Sequence, residues 1–223
     1  MSPKLPDTPM RYALLLALAL PLAACGDVGD APAAETAAVA DGAEAVTQTG
    51  TALPLAADDS TVTWVGAKVT GSHEGGFTGV DGELYLDGET LTGADVRIDA
   101  TTLWSDNDQL TEHLASDDFF AVGTYPEARF ETDTLTPVAV ADSVEWAEAT
   151  HTVTGRLTMH GQTNEITFPA LVEVTPEAAS VRADFLIDRQ KWGIVYAGKP
   201  DDLIRDDVRI RLQARAPRTA VGA

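Results

Sequence analysis

The sequence predicts an all-β domain, on three observations. Several stretches alternate apolar and polar residues with a period of two, and turn dipeptides separate them. The 18 Gly and 12 Pro in 223 residues supply the turn material that many short strands need. About eight strands in roughly 160 residues suit a closed barrel or a two-sheet sandwich.

Strands are predicted first over 61–70 and 82–86. In the next, Ala94, Val96, Ile98 and Ala100 alternate with Asp95, Arg97 and Asp99, one face buried and one solvated. Another spans 127–135, and then His151, Val153, Gly155, Leu157 and Met159 share a face opposite Thr152, Thr154, Arg156 and Thr158. A strand over 166–174 follows, then one with Val181, Ala183, Phe185 and Ile187 on its apolar face. The last carries Val208, Ile210, Leu212, Ala214 and Ala216 opposite Arg209, Arg211, Gln213 and Arg215. Turns are expected at Asp81-Gly82, Asp87-Gly88, His160-Gly161 and Thr175-Pro176, and the glycine-rich stretch 75–79 reads as a tight turn. One segment breaks the period: Leu110 and Leu114 lie one helical turn apart behind Ser105, Asp106 and Asn107, which are capping residue types, so a short helix is predicted over 108–116. Phe119 and Phe120 follow. Adjacent side chains on an extended chain point opposite ways, so one packs inside and the other seals a rim.

The N-terminus reads as an address. Lys4 and Arg11 precede an apolar run from Tyr12 to Leu22, too short for a bilayer core of about 30 Å, which needs roughly 20 residues. It has the length of the central part of a secretory signal. Leu22-Ala23-Ala24-Cys25 then resembles the bacterial lipoprotein signal. That resemblance implies removal of residues 1–24 and acylation of Cys25, with Gly26 next favouring an outer-membrane anchor facing the periplasm. The alternative is an ordinary secretory signal with an incidental cysteine. Residues 25–57 are acidic and Ala-rich, without an aromatic, and read as a disordered tether. The folded domain is expected at 58–217.

Composition excludes several classes of function. Fifteen Lys+Arg against 35 Asp+Glu leave a net charge of −20, the wrong sign for a nucleic-acid partner. Cys25 is the one cysteine, so neither an intramolecular disulfide nor a Cys-rich metal site can form. Gly71-Ser-His-Glu-Gly75 has its serine in the wrong place for a nucleophile elbow. The glycines at 75–79 lack the Lys-Ser/Thr of a phosphate loop. The adjacent pairs Asp117-Asp118, Asp201-Asp202 and Asp206-Asp207 do not oppose each other across a cleft, so they read as solvated surface acids. None of the four histidines shows close metal spacing. No catalytic residue, resident cofactor or metal site is assigned. Arg189 is expected to fork onto Asp206 or Asp207 and tie down the loop over 198–205.

Five motifs run in order: Gly71-Ser-His73-Glu-Gly75-Gly-Phe77, Glu112-His113-Leu114-Ala-Ser-Asp-Asp118-Phe119-Phe120, Tyr125-Pro126-Glu-Ala128-Arg-Phe130, Val153-Thr-Gly155-Arg-Leu157-Thr-Met-His-Gly161 and Asp188-Arg189-Gln-Lys-Trp192-Gly193-Ile194 with Tyr196. Together they resemble the YceI-like family. The resemblance implies an extended, lipocalin-like eight-stranded antiparallel β-barrel with a short helix. It further implies a long apolar ligand in the lumen, an isoprenoid, an isoprenoid quinone or a fatty acid amide, with binding rather than catalysis, and a homodimer. Ala121, where the family often has an acidic residue, and Trp192, where Phe is commoner, depart from the pattern and bear on ligand identity.

A lumen for such a chain needs large apolar side chains and a few polar groups at one end. The candidates are Trp64, Phe77, Phe119, Phe120, Phe130, Met159, Phe185, Trp192 and Ile194, with Trp192 and Phe120 placed at the rim because each lies at an element end. His73 and His113 are the head-group candidates. The same aromatics equally suit a core that is simply full, which would make the barrel a protein-interaction or stress-response factor. Metal binding through His73 and His113 is a further rival.

Overall fold

The alternation at Val208, Ile210, Leu212, Ala214 and Ala216 puts those side chains on one face of a strand, and in the structure, a computed structural model, that face turns inward. The structure describes residues 27–40, 42–138, 146 and 148–218. The signal over 1–24 and Cys25 lie outside them.

The strands are β1 (Glu35–Ala38), β2 (Thr51–Pro54), β3 (Thr61–Lys68), β4 (Gly71–Asp87), β5 (Thr90–Ser105), β6 (Glu127–Pro137), β7 (His151–Met159), β8 (Gln162–Val174), β9 (Ala178–Asp188), β10 (Gly198–Lys199), β11 (Asp202–Leu203) and β12 (Asp207–Pro217). Eight of them form the wall in the order β8-β7-β6-β5-β4-β3-β12-β9, and β9 returns to β8 through Ala183↔Ala170 to Ala179↔Val174, closing an antiparallel barrel. Closure removes the free sheet edges that an open all-β chain would expose. The helix α1 (Asp108–Ala115) starts where Asn107 Oδ1 accepts from the Leu110 N–H at 3.0 Å. Two hairpins have two-residue loops, Gly88-Glu89 and His160-Gly161, with Gly88, His160 and Gly161 at positive φ.

Three sequence expectations need correction. The glycines at 75–79 form no turn; they lie inside β4. A Cβ on Gly75 would collide with the Trp64 indole and one on Gly76 with the Val62 carbonyl, so the glycines let neighbouring chain and rings lie flat on the strand. Asp81-Gly82 is also strand, where a Cβ on Gly82 would strike the Asp95 carbonyl.

The third correction concerns the tether. Residues 27–40 and 42–57 wrap the barrel as a belt. The Val28 carbonyl accepts from Arg209, Ala34 N–H donates to the Leu186 carbonyl at 2.8 Å, and β1 pairs with β8 at Asn164–Thr167. Arg156 reaches the Glu44 carbonyl, Gln48 Nε2 donates to the Thr132 carbonyl at 3.0 Å, and β2 pairs with β4. Low apolar content argued for disorder, yet the belt is held largely by backbone hydrogen bonds, which side-chain hydrophobicity does not report, with Val28, Leu53 and Leu55 packed inward beside them.

Candidate functional site

The ladder does not run unbroken round the barrel. β5 pairs with β6 only from Asp95↔Glu131 to Asp99↔Glu127, and beyond it α1 and the turn after it bridge the opening. β8 pairs with β9 only over Ala170–Val174, and beyond that point β1 and residues 32–34 occupy the gap. Both openings lie at the same end of the barrel, and that end holds a cavity of about 310 Å³ with a largely apolar wall.

Each wall element contributes from its inward face. β3 supplies Trp64 and β4 supplies Phe77 and His73. The turn after α1 supplies Phe119 and Phe120, β7 supplies Met159, β9 supplies Phe185, and Ile194 follows the 3-10 turn Arg189–Trp192. Phe119 is buried and Phe120 half-buried, and Phe120 meets Phe77 edge-on at 5.7 Å. Ala67, Ala100 and Ala128 line the same space, and their small side chains help keep it open.

Three candidates sit elsewhere. Trp192, expected at a rim, is 0% exposed. Its indole N–H donates to the Leu157 carbonyl at 3.0 Å, wedging the ring near where β8 and β9 part. Phe130 lines a separate small void deeper in the barrel. His113 lies outside the cavity wall, edge-on to Phe119 and Tyr196 at 5.1 and 5.0 Å. His73 and His113 have separate carboxylate partners, Asp106 at 2.9 Å and Asp118 at 3.0 Å. Among the described residues no group of three His, Cys, Asp or Glu side chains is placed to hold a metal.

The sequence reading missed Leu110 and Leu114, which α1 points into the cavity, and Ile98, Val208 and Ile210 from the strands. Their signals were present, since an inward face of a barrel strand is also a lumen face.

Charges gather at the mouth, among them two ion pairs, Lys68 with Asp202 and Arg189 with Asp206. Lys68 pairs with Asp202, and that salt-bridged hydrogen bond holds the Asp202 carboxyl below the usual carboxylate range. Arg189 is 5% exposed and donates to the carbonyls of Ile194 at 2.6 Å and Arg205 at 3.1 Å and to Asp206 at 3.0 Å. The expected tie between Arg189 and the loop before β12 is therefore present. The Trp64 indole N–H is buried in the wall without a hydrogen-bond partner among the described residues. This arrangement offers affinity through apolar burial, with polar contacts confined to the opening.

A model of the YceI-like domain matches residues 54–216. A UPF0312 protein of Pseudomonas putida (strain GB-1) is 36% identical over 98 residues, and one of Pseudomonas fluorescens (strain SBW25) is 32% identical over 98 residues. Each alignment covers 43% of this chain and 47% of the relative, so the chain spans about half the length of the curated relatives it matches. Among solved structures, BcnA of Burkholderia cenocepacia shares the fold with a TM-score of 0.59 at 21% identity, over 73% of this chain and 99% of that one. A polyisoprenoid binding domain from Saccharophagus degradans, implicated in plant cell wall breakdown, does so with a TM-score of 0.57 at 19% identity, over 74% and 98%. The YCEI protein of Campylobacter jejuni follows at 0.51 and 20%, over 65% and 84%.

Proposed function

The chain belongs to the YceI-like domain family, and on that premise we propose that it binds the apolar chain of an isoprenoid-type lipid in the lumen of its barrel. The observation that carries this reading is the apolar cavity of about 310 Å³ at one end of a closed barrel. A cavity of this size lies at the small end of the range for ligand pockets. Each methylene moved from water into such a wall contributes about 0.8 kcal/mol. The solved polyisoprenoid binding domain of the same fold supports the ligand class.

The protein acts by sequestration. Phe120, Tyr125 and α1 border the opening, and the ligand's head stays there among the paired charges. Acylation of Cys25 makes the chain an outer-membrane lipoprotein facing the periplasm, where it takes up or hands over its lipid.

The test uses the full chain purified from its own cell envelope. Native mass spectrometry followed by solvent extraction should find about one apolar lipid per barrel. A chain that arrives empty and refuses lipid extracted from its own organism overturns the reading. Cys25→Ser should move the protein from the membrane to the soluble envelope fraction; retention on the membrane overturns the anchor.

A further inference from the structure

Resting on that reading, we infer that the lumen measures its ligand: it is blind, and admits roughly twenty carbons of an apolar chain, about four isoprene units, before the chain meets a floor of aromatic rings. The floor is Phe185 from β9, stacked on Phe168 from β8 at 4.2 Å and 15°, with Phe130 from β6 tilted against Phe168 at 5.6 Å. The layer continues across β7 because Gly155 has no side chain there. A Cβ on Gly155 would collide with the Phe130 ring, which lies in that place instead.

Phe185 faces the cavity from one side of this layer. Phe130 and Phe168 face the far side, where a separate void measures about 20 Å³. That is little more than one water needs. Below it the inward residues close up, with Leu84, Ala170, Ala179 and Ala216 all at or near zero exposure. A methylene is about the size of a water molecule, which needs about 15 Å³ of such space, so the 310 Å³ above the floor hold roughly twenty carbons. A longer chain leaves its remainder outside the barrel.

Polyprenyl alcohols of two to seven isoprene units, carried in a mild detergent and titrated against the full chain by calorimetry, read this directly. Affinity should rise about fourfold per added carbon, the equivalent of about 0.8 kcal/mol per methylene, and level off near twenty carbons. A rise that continues unbroken to about thirty-five carbons overturns the ruler and leaves lipid binding intact. An absence of binding at every length overturns the lipid reading, and the ruler with it. Two variants locate the floor. Phe185→Ala opens the floor and should move the break to longer chains by roughly three carbons. Ala128→Leu adds bulk to the cavity wall, removes nothing from the core, and should move the break to shorter chains by roughly two. A break that stays in place in a folded Ala128→Leu protein also overturns the ruler.

Discussion

The two ends of the barrel are lined by similar residues and differ in what they enclose. Alanines face inward at both: Ala67, Ala100 and Ala128 at the open end, Ala170, Ala179 and Ala216 at the closed one. The open end holds about 310 Å³ and the closed end about 20 Å³. The difference tracks the ladder. Where β8 and β9 pair directly, opposite walls approach and Leu84, Leu86 and Leu91 fill the space. Where β8 leaves β9 and β5 leaves β6, a 3-10 turn, a helix and the belt take over the perimeter, and the wall stands wider. Small side chains occur at both ends, so what sets the open end apart is the interruption of strand pairing.

The change expected to break this contrast most severely is Trp192→Ala. It removes a fully buried ring and its bond to the Leu157 carbonyl near the parting of β8 and β9, and should cost about 3–5 kcal/mol in urea unfolding. A cost under about 1 kcal/mol would show that the wider end is held open by something else.

A smaller effect tests the β5–β6 ladder, at the pair farthest from the opening that α1 bridges. Asp95 lies on the outer face and is nonetheless buried, accepting from Arg129 Nε at 2.9 Å and Nη2 at 2.7 Å. That bidentate bond holds the Asp95 carboxyl below its ordinary value of 3.8. A lowered folded-state value makes the contribution complete above the ordinary value and lost as pH falls through the lowered one. Asp95→Asn should therefore cost about 1–2 kcal/mol near neutral pH, discounted because Arg129 is partly exposed. Urea midpoints of parent and variant should converge as the solution is acidified; a gap that persists in acid would mean packing rather than charge.

The smallest expected effect sharpens the comparison at the helix that bridges the second opening. Asn107→Ala removes the cap on the Leu110 N–H and should cost about 0.5–1 kcal/mol. Hydrogen exchange should quicken at the first turn of α1 and stay unchanged in β9. Equal quickening in both would mean that the two bridged openings form one cooperative unit.

Much of this wall was legible from side chains alone. Strands such as β9 and β12 announce their inward face by alternation, and the pair Leu110 and Leu114 announces α1. The Arg189 tie to Asp206 was readable because a forked donor at one end of a loop faces a pair of carboxylates at the other. The rest depended on neighbours distant in sequence. Gly75 and Gly76 look like a turn until Trp64 is laid over one of them and Trp104 against the other. Trp192 looks like a rim residue until β8 and β9 part to admit it. Several aromatic lining side chains could be named, but aliphatic ones such as Leu110 and Ile210 were not, and the boundary between lining and floor, Phe185 above and Phe130 below, follows from register between strands.

The belt has a mechanical consequence. Its contacts follow one another round the perimeter, from Val28 on Arg209, through Ala34 on Leu186 and β1 on β8, to β2 on β4. A pull on the N-terminal end, such as an acylated Cys25 would transmit, loads these attachments in series, so each yields alone before the next bears tension. The belt pays out as slack, peeling like a zipper, and the eight-stranded wall behind it keeps its own pairing while the belt comes away.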